Sequence, residues 1–260
     1  MGLLVVIGRR VRALGVIAAA VVLLAAVALP QWTVRGPAEG GRAEPSSPLA
    51  GRLIALDPGH GGIDGGCSFG PWLEKDLALD IVLRLQRQLH EAGARVFLTR
   101  QGDHDLSFQG EGAFRQRRDL SGRVALVRRS GAEILLSIHL NSARTPSLSG
   151  PITFYQAVEG RPRGLPDRAW SAQTAASRRL AGLVQEELRR LYPGCLEWFW
   201  PNTFYLLRHS PCPTALVEVG YLSHPSDRQK LLDPAFRQRI ASAMAAALRR
   251  YFAGEQPAEE

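Results

Sequence analysis

Cysteine is scarce in this sequence, with three residues in a chain of 260. Cys67, Cys195 and Cys212 cannot all pair within one chain, and no CxxC or other cysteine zinc motif is present. A domain of this size has enough core to fold without a disulfide framework. The sequence leaves open a disulfide between Cys195 and Cys212 and a catalytic thiol at Cys67, which lies close to His60.

Lysine is also rare, because nearly all of the 32 cationic side chains are arginine. The formal net charge is +8, and residues 1–50 hold five arginines and two glutamates, so +5 belongs to residues 51–260. A charge of this sign suits an anionic surface or polymer, as a bacterial envelope offers, although scattered solvated arginines would give the same total. No basic stripe is interleaved with aromatic residues, so we expect no nucleic-acid partner.

Charge is absent from one long segment, Ala13–Leu29, which follows three arginines and ends at Pro30. This order is typical of a secretory signal or an N-terminal membrane anchor, and the segment is at the short end of a membrane span. We expect residues 1–30 to be an uncleaved anchor, with a signal cleaved after Ala26–Ala28 as the alternative. The arginines ahead of the segment predict that the rest of the chain is exported.

The remaining chain divides into a linker and one domain. Residues 31–50 are rich in proline, glycine, serine and charge and have no period, which predicts a flexible linker. Residues 51–260 have the length of a single domain with a sizeable core.

Short apolar segments alternate with helical patterns in this domain. The helix that begins at Glu74 shows apolar residues every four positions, and a second helix after Arg118 carries Leu120, Val124 and Val127. The alternation predicts an α/β domain with a largely parallel or mixed sheet flanked by helices on both faces. The predicted strands are Arg52–Leu56, Ala94–Thr99, Glu133–Ile138, Ile152–Gln156, Thr203–Arg208 and Ala215–Val219.

Four residues near strand ends or a helix start could form one site. His60 follows the first strand on a glycine-rich loop, His139 follows a later strand, Glu218 lies near the end of another, and Glu74 begins a helix. Sheets of this kind gather ligands beyond the carboxyl ends of their strands, so we expect these side chains at one edge.

Two imidazoles and one carboxylate are the three protein ligands of one type of catalytic zinc site, which leaves a fourth position for water. A further carboxylate can move protons in such a site. The set therefore indicates a zinc hydrolase with one zinc ion. Taken singly, each residue has another explanation. The histidines could be hydrogen-bonded structural residues, and the glutamate could pair with the helix dipole. The glycine-rich loop could instead hold a phosphate at the start of a helix.

The four residues lie in four motifs, in chain order DPGHGG (57–62), LEKD (73–76), SIHLNS (137–142) and ALVEVGYLS (215–223). This order of motifs resembles the zinc-dependent N-acetylmuramoyl-L-alanine amidases of bacterial cell walls. The stretches ITFYQ and FYLLRHS make the chain most similar to their germination-specific type in spore formers. The resemblance implies that His60, Glu74 and His139 bind zinc and that Glu218 is the catalytic carboxylate.

Three further residues are candidates for contact with the substrate. Asn141 and Arg100 are expected to be substrate-binding or supporting groups, although each could simply cap a strand end or pair with a carboxylate. His209 is expected near the substrate because it lies just past a predicted strand end.

The resemblance implies hydrolysis of the amide between the lactyl group of muramic acid and L-alanine, in spore cortex ahead of muramic δ-lactam formation. The expected partners are peptidoglycan and, through the N-terminal segment, the membrane. The expected location is the outer face of the cytoplasmic membrane, the cell wall or the spore intermembrane space. A vegetative autolysin, a zinc peptidase acting within the stem peptide and a noncatalytic peptidoglycan-binding protein are the alternatives.

Overall fold

A six-stranded mixed sheet with helices on both faces carries the fold in the computed structural model, which describes residues 47–107, 112–145, 147–158, 166–195 and 199–258. The strands are β1 (Leu53–Pro58), β2 (Ser68–Phe69), β3 (Trp72–Leu73), β4 (Arg95–Leu98), β5 (Ile134–Asn141), β6 (Ile152–Gln156), β7 (Phe199–Asn202) and β8 (Thr214–Tyr221). The helices are α1 (Glu74–Glu91), α2 (Gly112–Ser130), α3 (Asp167–Arg189), α4 (Tyr205–His209), α5 (Pro225–Leu232) and α6 (Pro234–Phe252).

The strand order in the sheet is β4-β1-β5-β8-β6-β7. Strands β4, β1, β5 and β8 are mutually parallel, β6 is antiparallel to β8, and β7 is parallel to β6. Strands β2 and β3 form a separate antiparallel hairpin. The predicted α/β class with a mixed sheet is therefore confirmed.

Alternate residues of the central strands supply two separate cores. On β5, Ile134 and Leu136 pack into a large core with α1, α3 and α6, whereas Leu135 packs into a smaller core with α2 and α4. Successive side chains of a strand point to opposite faces of the sheet, so His139 lies on the same face as Leu135. The register sets His139 opposite Glu218 of β8, which faces the same way.

One predicted strand was wrong. Residues 203–208 were expected to be extended, but α4 is a short helix, in which Arg208 N donates to Phe204 O at 3.0 Å and Ser210 N to Leu206 O at 2.9 Å. The strand lies earlier, at Phe199–Asn202. Leu206 and Leu207 are consecutive and both buried, which suits one turn of helix on a core better than a strand with alternating exposure.

The predicted anchor, residues 1–30, lies outside the described residues, as does most of the predicted linker. All described residues belong to one compact unit, Pro45–Glu260. Leu49 is fully buried in the large core and Gly51 N donates to Gly93 O at 2.8 Å, so packing begins slightly ahead of the predicted boundary at residue 51. Within the described part of the chain, no helix is both long enough and apolar enough to cross a membrane.

A buried ion pair joins the end of β1 to α2. Asp57 is fully buried and accepts hydrogen bonds from Arg123 Nη1 at 2.8 Å, Ser137 Oγ at 2.7 Å and Thr99 Oγ1. Burial alone would raise the pKa of Asp57, but the Arg123 charge and the two hydroxyl donors outweigh it and hold the pKa below its ordinary value. The aspartate therefore links three parallel strands and a helix near the carboxyl ends of the strands.

Removing the cation of this pair should destabilise the protein strongly. We expect Arg123→Met to lower the free energy of unfolding by about 3–5 kcal/mol, because it leaves the Asp57 charge buried without its partner. Urea unfolding followed by circular dichroism measures the change. Arg52→Met is the matched control, because the Arg52–Glu133 pair is exposed and should contribute less than about 1 kcal/mol. A loss for Arg123→Met as small as that of the control would contradict this account.

Candidate metal centre

His60 lies on a tight turn whose backbone carbonyls accept hydrogen bonds from two buried arginines. Its φ angle is 57°, in the left-handed region that a residue with a side chain seldom adopts. Arg123 donates to the carbonyl oxygens of Pro58, at 2.8 Å, and of His60, while Arg100 Nη2 donates to Gly59 O at 2.8 Å. Three consecutive carbonyls are thus fixed, which supports the unusual backbone conformation of His60.

Glycine is required at position 59 because another ligand candidate lies directly against it. A Cβ atom on Gly59 would be 2.5 Å from the His139 ring. A similar constraint applies to Gly66, where a Cβ would be 2.5 Å from Glu74 Oε2. The glycine-rich loop therefore allows His60, Glu74 and His139 to approach each other closely.

Glu74 is the first residue of α1, and its carboxylate lies between the two histidines. Oε1 is 3.1 Å from His60 Nε2 and 3.0 Å from His139 Nδ1. The same oxygen accepts from Leu140 N at 3.0 Å, and Oε2 accepts from Cys67 N at 2.8 Å. These contacts fix the position of the carboxylate in a largely buried site.

The three ligand atoms of His60, Glu74 and His139 lie within 4.8 Å of one another. The two imidazole rings are 4.9 Å apart, centroid to centroid, at an angle of 80°. No other set of three or more His, Cys, Asp or Glu residues in the described ranges is arranged to hold a metal ion. Two nitrogen donors and one carboxylate oxygen that converge in this way fit a zinc ion with an open position.

Asp64 fixes the orientation of the His60 ring. Its Oδ2 atom is 2.8 Å from His60 Nδ1, and Oδ1 accepts from Gly66 N at 3.1 Å. With Nδ1 engaged by a carboxylate, Nε2 is the atom that faces Glu74, and such a partner raises the basicity of a metal-binding imidazole.

The titration behaviour of the cluster reflects its crowding. Burial would lower the pKa of His60, but Glu74 and Asp64 outweigh burial and raise it to about 9. Burial would raise the pKa of Glu74, but the hydrogen bonds and charges of His139 and His60 hold it well below its ordinary value. The carboxylate is therefore ionised, and a metal ion that binds here displaces a proton from His60.

Glu218 differs from Glu74 in its surroundings. It lies beside His139 on the neighbouring strand, and its Oε2 atom is buried with no hydrogen-bond partner. Burial raises the pKa of Glu218 to about 7, with a further contribution from the Glu74 charge, while His139 and His60 lower it. A carboxyl group that titrates near neutral pH in such a position can accept and return a proton.

The remaining predicted site residues have different surroundings. Arg100 is 2% exposed, and its guanidinium donates to four backbone carbonyls, those of Pro58, Gly59, Lys75 and Gly102. This arginine supports the His60 turn and ties it to the start of α1, and its role toward the substrate stays a prediction. Asn141 ends β5, where its Oδ1 accepts from Ser142 N at 2.8 Å. The His209 ring packs on the Tyr205 ring, with the two ring centroids 4.3 Å apart. The expected substrate roles of Asn141 and His209 stay predictions.

The cysteines are all free thiols, so the disulfide between Cys195 and Cys212 is not formed. Cys67 Sγ donates to Leu140 O at 3.2 Å. Burial and the neighbouring Glu74 charge raise the pKa of Cys67, which keeps the thiol protonated and unsuited to nucleophilic attack.

Sequence reasoning missed the residues that support the ligands, above all Asp57, Asp64 and Arg123. One signal was available for Arg123. It lies three residues after Leu120 and four before Val127, on the predicted apolar side of α2, where a charge needs a buried partner.

Comparison with known proteins agrees with this geometry. The family model described as N-acetylmuramoyl-L-alanine amidase matches residues 54–250. The chain is 37% identical to the germination-specific N-acetylmuramoyl-L-alanine amidase of Bacillus subtilis strain 168, over 80% of this chain and 82% of that protein. It is 30% identical to the N-acetylmuramoyl-L-alanine amidase AmiC of Neisseria meningitidis, over 84% of this chain and 59% of that protein.

Solved structures of amidases share the fold. The CwlD amidase from Clostridioides difficile, solved in complex with the GerS lipoprotein, superposes with a TM-score of 0.67 at 29% identity, covering 78% of this chain and 100% of that one. The amidase AmiC2 of Nostoc punctiforme gives a TM-score of 0.62 at 28% identity, covering 78% and 99%. The resemblance seen in the motifs is thus confirmed across nearly the whole domain, and the chain belongs to the N-acetylmuramoyl-L-alanine amidase family.

Proposed function

We propose that this enzyme is zinc-dependent and hydrolyses the amide between the lactyl group of muramic acid and L-alanine in peptidoglycan, with spore cortex as its substrate ahead of muramic δ-lactam formation. The observation that carries the chemistry is the convergence of His60, Glu74 and His139 beside the buried, unpartnered carboxylate of Glu218. Support for the cortex role comes from the similarity to the germination-specific amidase of Bacillus subtilis and to CwlD.

The proposed roles follow from the positions of the side chains. His60, Glu74 and His139 would hold the zinc ion, which when bound lowers the pKa of water and polarises an amide carbonyl. Glu218 takes the proton of the attacking water and returns it to the nitrogen of the departing L-alanine. Asp64 keeps the His60 ring in the orientation that directs Nε2 toward the metal position.

The proposed location is outside the cytoplasm, where peptidoglycan lies. Residues 1–30 would hold the enzyme at the outer face of the membrane, and residues 31–46 would let the domain reach its polymer. The basic domain charge suits a polymer that carries peptide carboxylates.

Loss of one imidazole should remove the metal. We expect the wild-type protein to bind one zinc ion per chain and His139→Ala to lose most of it, because two ligands hold zinc far more weakly than three. Elemental analysis after gel filtration gives the stoichiometry. His90→Ala is the matched control, because His90 is exposed at the far end of α1. Full zinc in a folded His139→Ala protein would refute the ligand assignment.

Glu218 should be needed for turnover and not for metal binding. We expect Glu218→Gln to keep zinc and fold but to lose at least ~10² in kcat on peptidoglycan fragments, because the amide keeps the size of the side chain and removes its basicity. Mass analysis of released peptides and elemental analysis give the two readouts. Glu91→Gln, at an exposed position, should leave both unchanged. Near-wild-type turnover would mean that another residue is the base, and loss of zinc would make Glu218 a ligand.

The cortex role can be separated from a vegetative role by genetics. We expect deletion of the gene in its host to abolish muramic δ-lactam in the spore cortex, because the peptide must be removed from muramic acid before the lactam ring can close. Mass spectrometry of digested cortex measures the lactam. The wild-type gene should restore it and the Glu218→Gln gene should not. Normal lactam together with defective separation of growing cells would favour the autolysin.

A further inference from the structure

Two aromatic side chains stand on a short hairpin next to the metal centre. Strands β2 and β3 pair antiparallel with Phe69 opposite Trp72, and Gly70 makes the turn with a φ angle of 56°. The Phe69 and Trp72 side chains remain 47% and 45% exposed. We name residues 68–73 the aromatic hairpin. Exposed aromatic groups of this kind mark interaction surfaces when they lie together beside a site.

The base of the aromatic hairpin is closed by a proposed metal ligand. Cys67 N donates to Glu74 Oε2 at 2.8 Å, and Glu74 N donates to Cys67 O at 2.9 Å. Each arm has two residues, so its length is only about 7 Å. The two rings are therefore within reach of the sugars next to the one whose substituent lies at the metal centre.

The aromatic pair and its neighbours on the hairpin face opposite ways. Cross-strand partners project to the same side, so Phe69 and Trp72 share one face and Ser68 and Leu73 the other. Leu73 points toward the glycine-rich loop, with its Cδ2 atom 3.5 Å from the position of a Cβ on Gly65. The Phe69 ring lies 3.7 Å from the guanidinium carbon of Arg228 in α5. Arg228 Nη1 in turn donates to Leu222 O at 3.0 Å, just after the strand that carries Glu218.

A second surface beside the metal centre has a different character. A groove of about 270 Å³ runs beside α2, and Asp64, Gln116 and Asp119 line both this groove and the depression that contains His60 and His139. Its wall is completed by Ile63, Asp105, Gly112 and Arg115. Such a mixture of charged and amide groups suits a peptide, which carries ammonium, carboxylate and amide groups.

We propose that the aromatic hairpin binds the glycan strand of peptidoglycan, with Trp72 and the side of Phe69 turned away from Arg228 against the faces of sugar rings. The inference rests on the proposed function, because the amide that is cleaved joins a sugar on one side to a peptide on the other. A pyranose ring presents C–H groups that carry partial positive charge, and the face of an aromatic ring is negative. The polar groove beside α2 is then left for the peptide, so the two arms of the substrate leave the metal centre along different parts of the surface.

Kinetics on two substrates test the placement of the glycan. On glycan chains that carry peptides, we expect Trp72→Ala to raise KM on the order of fivefold with kcat unchanged, as one aromatic contact is lost. On a single muramoyl-peptide without neighbouring sugars, KM should stay within twofold of wild type. Trp72→Phe should restore most of the affinity for the chain. Trp200→Ala is the matched control, because Trp200 is also 45% exposed but belongs to β7 at the far edge of the sheet.

Binding of peptide-free glycan strands separates this inference from the amidase activity. Calorimetry should detect binding by the full chain, weakened on the order of fivefold in Trp72→Ala and unchanged in Trp200→Ala. Glycan binding that depends on Trp72 in a protein that hydrolyses no peptidoglycan would refute the proposed function and leave the glycan surface standing. Equal glycan binding and equal KM values in wild type and a folded Trp72→Ala variant would overturn the glycan surface and leave the amidase intact.

Discussion

The buried pair of Asp57 and Arg123 is the interaction on which the geometry of the active site depends. The aspartate lies near the end of β1 and accepts hydrogen bonds from Thr99, just after β4, and from Ser137 of β5. Its charge is neutralised by Arg123 of α2. The same guanidinium then holds the carbonyls of Pro58 and His60. A charge that is costly to bury is thus used to hold a histidine in a conformation that its own backbone disfavours.

Arg100 adds a second connection of the same kind. Its Nη2 atom donates both to Gly59 O in the histidine turn and to Lys75 O at the start of α1. One guanidinium therefore bridges the two segments that carry His60 and Glu74. The planar fork of arginine suits this task, because several donors reach separate acceptors without a change of rotamer.

Two carboxylates that lie in space beside the same histidines acquire opposite properties from their surroundings. Glu74 accepts two backbone N–H groups and faces two imidazoles, so its pKa falls and it stays ionised, as its proposed role of metal ligand requires. Glu218 is enclosed without a donor, so its pKa rises to about 7. Environments that drive two carboxyl pKa values apart assign them to different roles. A divalent ion at the site would lower the pKa of Glu218 from this value, which keeps the carboxylate ionised and able to accept a proton.

Sequence patterns were enough to predict the α/β class, the order of most strands and helices, and the four residues of the central cluster, because these depend on periodicity and on local motifs. They did not reveal the helix at Tyr205–His209, since two adjacent leucines in a short segment suit a strand or a helix until the core they pack against is known. They also left open whether Arg100 binds substrate or supports the site, and the fold buries this guanidinium among backbone carbonyls. These points, and the pairing of Asp57 with Arg123, 66 residues away, depend on long-range packing. The reason is that a buried charge takes its role from the partners that folding brings to it.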